Sequence, residues 1–426
     1  MGTTADKLAY LNDTKAEIRS AITAKGVDVP ETAPFRTYAE KIGEISGSEA
    51  AVTPLDPEKV YRDCRPCDWL TMPEPQEDEI YLLMQVPQGV KGRVAFKTTC
   101  SGSYTVEAGN VEAGVFTPDL TTTVASGDVY EREIASSECY SPTADGMVQI
   151  MLRVSGTAIE TWETVSSSAN TSHMNWDIVE IVCRLPSCTS FMCGHLMPIE
   201  ALNSLRFFAL FGTNQIQNMK YMFCGCYNLM AIRTLDTSSV TNMTMAFCDC
   251  RALVALPELD TSNVTCMNSA FYDCGAIISL PVMDLSKVDD FCYVFAGCRS
   301  LRSVPQLNTV SATDVDLCFQ DCQSLRSIPP MRVDLAPRNT QTMFMGCSSL
   351  QKVTFGEPLT NPWTTTTLDM SDCALGHDAI IDLIKSLPEI NTGDTGELVL
   401  YNVPGAEELT AEDTQLAAAV GWSVLW

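Results

Sequence analysis

Apolar positions recur at a fixed interval between about residues 219 and 353. Phenylalanines return every 24 residues, with a last interval of 25, and a cysteine follows each of them three residues later. One short unit of this kind cannot bury its apolar side alone, whereas stacked copies share a core. The pattern therefore predicts a solenoid over residues 221–355. Its predicted core contains Phe223, Cys226, Phe247, Cys250, Phe271, Cys274, Phe295, Cys298, Phe319, Cys322, Phe344 and Cys347.

Each repeat predicts one extended leg and one short helix. In one repeat, Val264, Met267 and Phe271 are spaced like a single face of a helix. The Asp-Thr-Ser sequence at 260–262 precedes them and has the side chains that cap helix N-termini. The leucines before it are interrupted by Pro257, which favours an extended leg over a helix. We therefore expect a curved solenoid with a strand-like leg and a helix in every turn.

Residues 1–46 predict a pair of short helices. Leu8, Leu11, Lys15, Ile18 and Ile22 alternate at steps of three and four residues, which is the spacing of a coiled-coil seam. Two short helices are marginal on their own in water. We expect them to dock on each other, on sister chains or on a larger particle.

The chain between these helices and the repeats predicts a β-domain. Residues 47–56 form a polar linker. From 57 to 183, short β-branched segments alternate with Gly, Pro, Ser and Asp, which predicts a β-sandwich-like domain. Terminal segments of a repeat array must cover its apolar ends, so residues 184–220 and 356–426 are predicted to cap the solenoid. The expected fold class is a multidomain α+β protein.

Two stretches resemble known families. The phrase Leu-Asp-Thr-Ser-x-Val-Thr-x-Met-x-x-x-Phe-x-x-Cys-x-x-Leu at 235–253 resembles the BspA-like leucine-rich repeat, found in bacterial surface proteins and bacteriophage tail proteins. Leu-Asn-Asp-Thr-Lys at 11–15, followed by Pro-Phe-x-x-Tyr-x-x-Lys-Ile at 34–42, is similar to a short module of tailed-phage fibre proteins.

These resemblances imply a virion component rather than an enzyme. They imply that the N-terminal helices dock onto other tail proteins, and that the chain forms a homo-oligomer, a trimer by analogy with fibres. They also imply location in the virion after synthesis in the host bacterial cytoplasm.

Charge and hydropathy narrow the range of partners. The 426-residue chain has a net charge of −26, and an acidic surface repels nucleic acid. No apolar run approaches the length of a membrane span, so we expect no membrane insertion. The N-terminus has neither a basic nor an apolar leader segment, so we expect no secretory signal.

Two repeated polar columns leave alternatives open. Stacking brings successive cysteines about 5 Å apart, a separation that suits disulfides or soft-metal ligands. Small buried thiols are also ordinary core residues, and we favour that interpretation. The column of Asp236, Asp260, Asp284 and Asn308 could bind calcium, but capping of the adjacent helix is the simpler role.

Catalytic and metal motifs are sparse. Three histidines lie in separate regions, and no nucleophile, nucleotide-binding or zinc-protease pattern is present. We therefore expect no catalytic residues, no metal and no cofactor. Two further cysteine groups lack zinc-site spacing and are expected to be structural. They are Cys64 with Cys67, and Cys183 with Cys188, Cys193 and His195.

We expect the repeat surface to bind the host cell, through a surface protein or a glycan. The arginines of the repeats are the one basic feature of an acidic chain and suit an anionic ligand. Alternatives are solvated positions without a ligand, an architectural virion protein whose repeats bind neighbouring subunits, a bacterial surface adhesin, and a glycan-degrading fibre. The candidate surface residues are Tyr227, Arg251, Arg299, Arg302, Arg326 and Gln351.

Overall fold

The computed structural model describes residues 53–426, except 90, 141, 166–177, 195–202, 308, 310, 313, 331–341, 357–365 and 391–392. The described part is mostly β with few helices, and it contains a β-solenoid of about eight turns. The solenoid is therefore confirmed, while helices are fewer than an α+β class implies. The predicted N-terminal helix pair, with its seam residues Leu8, Leu11, Ile18 and Ile22, lies outside the described residues.

Two β-sheets form the N-terminal part of the described chain. Their strands are β1 (Glu79–Pro87), β2 (Lys91–Thr99), β3 (Ser103–Glu112), β4 (Val115–Ala125), β5 (Val129–Ala135), β6 (Met147–Ser155), β7 (Thr161–Thr164), β8 (Ile178–Arg184), β9 (Ser190–Met192), β10 (Phe207–Leu210) and β11 (Ala231–Ile232). The larger sheet has seven strands in the order β11-β10-β8-β1-β6-β3-β4, and the smaller has four in the order β5-β2-β7-β9. Leu82, Phe96 and Trp162 from the two sheets are fully buried in one shared core.

A short helix, α1 (Pro57–Cys64), covers part of the outer face of the larger sheet. The carboxylate of Asp56 caps its first turn by accepting the amide of Glu58 at 2.9 Å. Val60 on α1 packs with Trp69 and Phe207 in a second apolar cluster on this face. The sheet is therefore buried on both sides where α1 lies over it.

The two packed sheets, which we call the sandwich, are joined to the solenoid through the larger sheet. Strand β8 pairs antiparallel with β1 on one side and parallel with β10 on the other, where Ile181 lies opposite Phe208. Strand β10 then pairs with β11, and single bridges extend the ladder from Ala231 to Ala255. The predicted boundary between residues 183 and 184 therefore falls inside a shared sheet. Division into separate domains stays a prediction.

One row of aromatic rings runs through this shared core. The six phenylalanines of the repeats stack with centroids 5.0–5.8 Å apart and planes within 20° of parallel. On the N-terminal side the row continues into the sandwich with centroid separations of 4.3–5.7 Å. The aromatic row consists of Phe96, Trp162, Phe191, Phe208, Phe223, Phe247, Phe271, Phe295, Phe319 and Phe344.

Where the sequence predicts a short helix, each complete turn instead has tight bends with left-handed residues. In one repeat, Ser269 and Asp273 both have a φ of 54°, which an α-helix does not contain. The amide of Phe271, between them, donates to Val294 of the next turn at 2.9 Å. The helix prediction is wrong because the same apolar spacing fits two successive tight bends. Along these bends, backbone amides donate alternately to a nearby carbonyl and to a carbonyl of the next solenoid turn.

A parallel βαβαβ unit covers the C-terminal end of the solenoid. It consists of β12 (Thr366–Asp369), α2 (His377–Ser386), β13 (Gly396–Val399), α3 (Ala411–Ala419) and β14 (Trp422–Leu425). Leu368, Ile380 and Trp422 of this unit belong to the same buried core as the solenoid. Among the helices that the structure describes, none combines the length and apolar character needed to span a membrane.

Candidate binding surface

The cysteines of the repeat core are held by backbone hydrogen bonds. All of them, from Cys226 to Cys347, are fully buried. The thiol of Cys250 donates to the carbonyl of Phe223, one turn earlier, at 3.1 Å, and Cys274 donates to Phe247 at 3.0 Å. Burial raises the pKa of these thiols, for example to about 12 for Cys298. The burial and the hydrogen bonds of this column fit a core role, and all 19 cysteines are free thiols in the structure.

The aspartate column closes tight turns. Oδ1 of Asp236, Asp260 and Asp284 each accepts the amide two residues further on at 3.0 Å, which is an Asx turn and not a helix cap. Hydrogen bonds from Ser262 lower the pKa of Asp260 below its ordinary value. Backbone geometry therefore accounts for the column.

The two further cysteine groups differ in exposure. Cys64 and Cys67 are exposed at and just after the end of α1. The three cysteines of the 183–193 group are buried where the sandwich becomes the solenoid, while His195 lies outside the described residues. Within the described ranges, no cluster of His, Cys, Asp and Glu is arranged to hold a metal ion.

The six candidate surface residues lie in two columns of the solenoid. In the first column, aspartates neutralise the arginines. Arg251 pairs with Asp249 at 2.7 Å and with Asp273 at 3.1 Å, and Arg299 pairs with Asp273 at 3.4 Å. The guanidinium of Arg251 also lies 4.9 Å from the ring centroid of Tyr227. Because each guanidinium has an acidic partner, this column has little net positive charge.

The second column lies three residues further along each turn, and its side chains change from apolar to polar and basic along the solenoid. Met230 and Val254, in the first turns, pack against the apolar cluster beside α1, next to the buried Ala231 and Ala255. Later turns place polar and basic side chains at the equivalent positions. We call this set the basic face: Arg302, Ser303, Arg326, Ser327, Gln351 and Lys352.

The basic face is a parallel ladder over three consecutive turns. The amide of Arg326 donates to Arg302 at 3.2 Å, and that of Gln351 donates to Arg326 at 2.8 Å. Neighbouring turns are about 4.8 Å apart, the ordinary strand separation. Burial, followed by the positive charge of Arg326, lowers the pKa of Arg302. The two guanidinium groups therefore lie close enough for the charge of one to act on the other.

Sequence reasoning missed Ser303, Ser327 and Lys352. The repeat register contained a signal, since each directly follows a candidate residue. Adjacent residues in a long strand face opposite sides. Here the leg is only a single bridge, and both neighbours are at least partly exposed in these turns. The 24-residue period alone does not specify that both neighbouring side chains are exposed.

A cleft of about 300 Å³ lies where α1 meets the first turns. Two arginines line it, and both are engaged. Arg65 pairs with the fully buried Glu180 at 2.7 Å, and Arg233 pairs with Glu58 of α1 at 3.1 Å. Burial raises the pKa of Glu180. These ion pairs hold α1 and its neighbouring segment to the sheet, which gives the cleft a structural role.

Comparison with known protein families gives a match in the region of the repeats. A family described as "Mycoplasma protein of unknown function, DUF285" matches residues 201–279 and 253–359. The two ranges overlap within the solenoid and together span little more than a third of the chain. No curated protein matches the sequence. The similarity therefore concerns the repeat and carries no activity with it.

Proposed function

We propose that the chain is a non-enzymatic component of a bacteriophage tail that binds the host cell surface through the basic face. The observation that carries the proposal is the change of one solenoid column from covered apolar turns to three consecutive turns with arginine and lysine. A chain of net charge −26 that gathers cations on this face attracts anions there and repels them elsewhere.

The ladder geometry favours an extended anionic ligand. Arginine offers paired donors to carboxylate or phosphate, and serine hydroxyls beside it donate or accept hydrogen bonds. Several contacts in register give avidity without a deep pocket. A surface glycan with repeated acidic groups, or an acidic protein epitope, has this chemistry.

The proposal gives the N-terminal helices the role of attachment. Residues 1–46 would dock onto other tail proteins or join sister chains into a homo-oligomer, a trimer by analogy with fibres. Their coiled-coil spacing supports this role. Several copies on one particle would multiply weak contacts with the cell.

A second candidate is an architectural virion protein whose repeats bind neighbouring subunits. Val282 and Met345 on the solenoid are 72% and 44% exposed, and exposed large apolar side chains are frequent at protein contacts. A bacterial surface adhesin is a third candidate, supported only by the repeat resemblance.

Adsorption to cells tests the proposal. Fluorescently labelled full-length chain is incubated with a panel of bacterial isolates, washed and measured by flow cytometry. For an isolate that binds, the double variant Arg302→Glu/Arg326→Glu should adsorb at least about tenfold less, and wild-type adsorption should fall with added salt. The matched control is Lys220→Glu/Lys287→Glu, which makes the same charge change at two other exposed solenoid positions.

The outcomes separate the candidates. Loss in the basic-face variant with retention in the control supports the proposed surface. Retention in both variants contradicts it, and equal loss in both shows attraction by overall charge alone. Antibody labelling that reaches the solenoid only after particle disassembly favours architecture, and release of sugar from the cells shows a glycan-degrading enzyme.

A further inference from the structure

A second column of cysteines lies on the outside of the first turns. Cys224 and Cys248 directly follow phenylalanines of the aromatic row, and the equivalent residue in the next turn, Tyr272, is 38% exposed. Cys224 and Cys248 are 5% and 8% exposed, whereas the core cysteines are fully buried. Both residues are buried, but they lie closer to the surface of the solenoid than the core cysteines do.

Cys224 and Cys248 are neighbours in adjacent turns. The amide of Gly225 donates to the carbonyl of Cys248 at 2.8 Å, and the rings of Phe223 and Phe247 stack 5.7 Å apart. Residues in register on parallel neighbours have Cα atoms about 4.8 Å apart, within the range of roughly 4.4–6.8 Å that a disulfide spans. The thiol of Cys248 donates to Oδ2 of Asp249 at 4.0 Å.

The pair is chemically asymmetric. The neighbouring thiol of Cys248 lowers the pKa of Cys224, whereas the thiol of Cys224, followed by burial, raises the pKa of Cys248. The carboxylate of Asp249 opposes ionisation of both thiols. Since the thiolate is the nucleophile in exchange, we expect Cys224 to attack first.

We propose that Cys224 and Cys248 are a modification site, where a low-molecular-weight disulfide oxidises them to a disulfide that links two adjacent turns of the solenoid. The Cys224 thiolate attacks one sulfur of the reagent, forming a mixed disulfide and releasing one thiolate. Cys248 then loses its proton to water and attacks the sulfur of Cys224, releasing the second thiolate. The protein gives up two protons and two electrons, and the reagent is reduced to two thiols.

The core cysteines stack at the same spacing but are protected. The thiol of Cys250 is fully buried and donates to the carbonyl of Phe223, and exchange requires access to the sulfur. The link would join positions 24 residues apart in the part of the solenoid next to the sandwich, and it would restrict the unfolded chain. This inference goes beyond the proposed function and does not depend on it.

Oxidised glutathione is the probe. The full-length chain carries Cys64→Ser/Cys67→Ser, which removes the two exposed cysteines. After incubation, free thiols are alkylated and peptides are mapped by mass spectrometry under non-reducing conditions. The expected product is the Cys224–Cys248 cross-linked peptide, together with a higher melting temperature that a reducing agent reverses.

Single variants test the order of attack. Cys248→Ser should trap glutathione on Cys224, while Cys224→Ser should leave Cys248 at least about tenfold less modified, because thiolate character sets the rate. Circular dichroism establishes that each variant is folded. Absence of the cross-link in folded protein, equal modification in the two variants, or modification of Cys250 at the rate of Cys224 would overturn the proposal.

Discussion

Replacing Phe271 with alanine tests the aromatic row at its centre. The ring is fully buried, 5.0 Å from Phe247 and 5.8 Å from Phe295, with planes within 14° of parallel. Truncation of a phenylalanine in a packed core costs about 3–5 kcal/mol, because apolar burial is lost and a cavity remains. Each lost ring pair accounts for roughly 0.5–1.5 kcal/mol of the effect.

The neighbouring residue provides a matched control. Tyr272 points outward, is 38% exposed and makes one edge contact with Tyr293 at 6.1 Å. Its replacement by alanine should cost about 1 kcal/mol or less. The two variants remove similar rings one residue apart. The difference between their losses in free energy of unfolding therefore measures how much burial in the aromatic row contributes to stability.

Calorimetry of the full-length variants gives the comparison. Residues 52–426 form one compact unit, and an unfolding entropy near 2.1 cal/mol/K per residue gives about 0.8 kcal/mol/K for roughly 375 residues. Phe271→Ala should therefore lower the melting temperature by about 4–6 °C, and Tyr272→Ala by about 1 °C. Equal shifts of the melting temperature in the two variants, or a shift within about 1 °C for Phe271→Ala, would contradict the claim that the aromatic row stabilises the fold.

Further predictions concern the Asx turns and the buried ion pair. Asp260→Ala removes the acceptor of the Ser262 amide and hydroxyl and should lower the free energy of unfolding in urea by about 1 kcal/mol, whereas Asp260→Asn should cost less because it keeps an acceptor. The pKa of Asp260 is lowered in the folded chain, so its negative charge stabilises the fold above about pH 4, and this stabilisation is lost as the pH falls through the folded pKa. The free energy of unfolding of the wild type should therefore fall more on acidification than that of Asp260→Asn. Identical pH profiles of the two proteins would contradict this. Arg65→Met leaves the buried Glu180 without its cation and should cost about 3–5 kcal/mol in urea unfolding. Because burial raises the pKa of Glu180, that variant should lose more stability as the pH rises from about 5 to 8 than wild type does, and a smaller loss would count against the buried charge.

The solenoid was predictable because the period of the side chains does not depend on the local backbone. The helix prediction was wrong because apolar residues at i, i+3 and i+7 suit a helix and a pair of tight turns equally well. A distinguishing signal was present two residues after each phenylalanine of the repeats. These positions hold Gly225, Asp249, Asp273, Gly297, Asp321 and Gly346, all left-handed and all of residue types that favour that conformation.

Continuity between the sandwich and the solenoid could not be predicted from the repeat period. The aromatic row continues through Phe208 and Phe191, but these residues precede Phe223 at intervals of 15 and then 17, so the 24-residue period is lost. Strand pairing fixes their positions, and one sequence gives no direct information about such long-range pairing.

The residue types of the candidate surface could be predicted from the sequence, but the pairing of its arginines with aspartates could not. The pairing of Arg251 and Arg299 with aspartates depends on left-handed turns that place Asp249 and Asp273 beside them. The basic face is the second column, three residues further along each turn. Its ladder follows from the register of adjacent turns, which the sequence does not state.

An experimental density map of the full-length chain in which side chains are visible is the most direct test of this account. We expect ten rings in one uninterrupted row from Phe96 to Phe344, with centroids 4.3–5.8 Å apart. We also expect Arg326 and Lys352 to lie exposed on adjacent turns. A map in which the row ends between Phe191 and Phe223, so that the sandwich and the solenoid have separate cores, would contradict it.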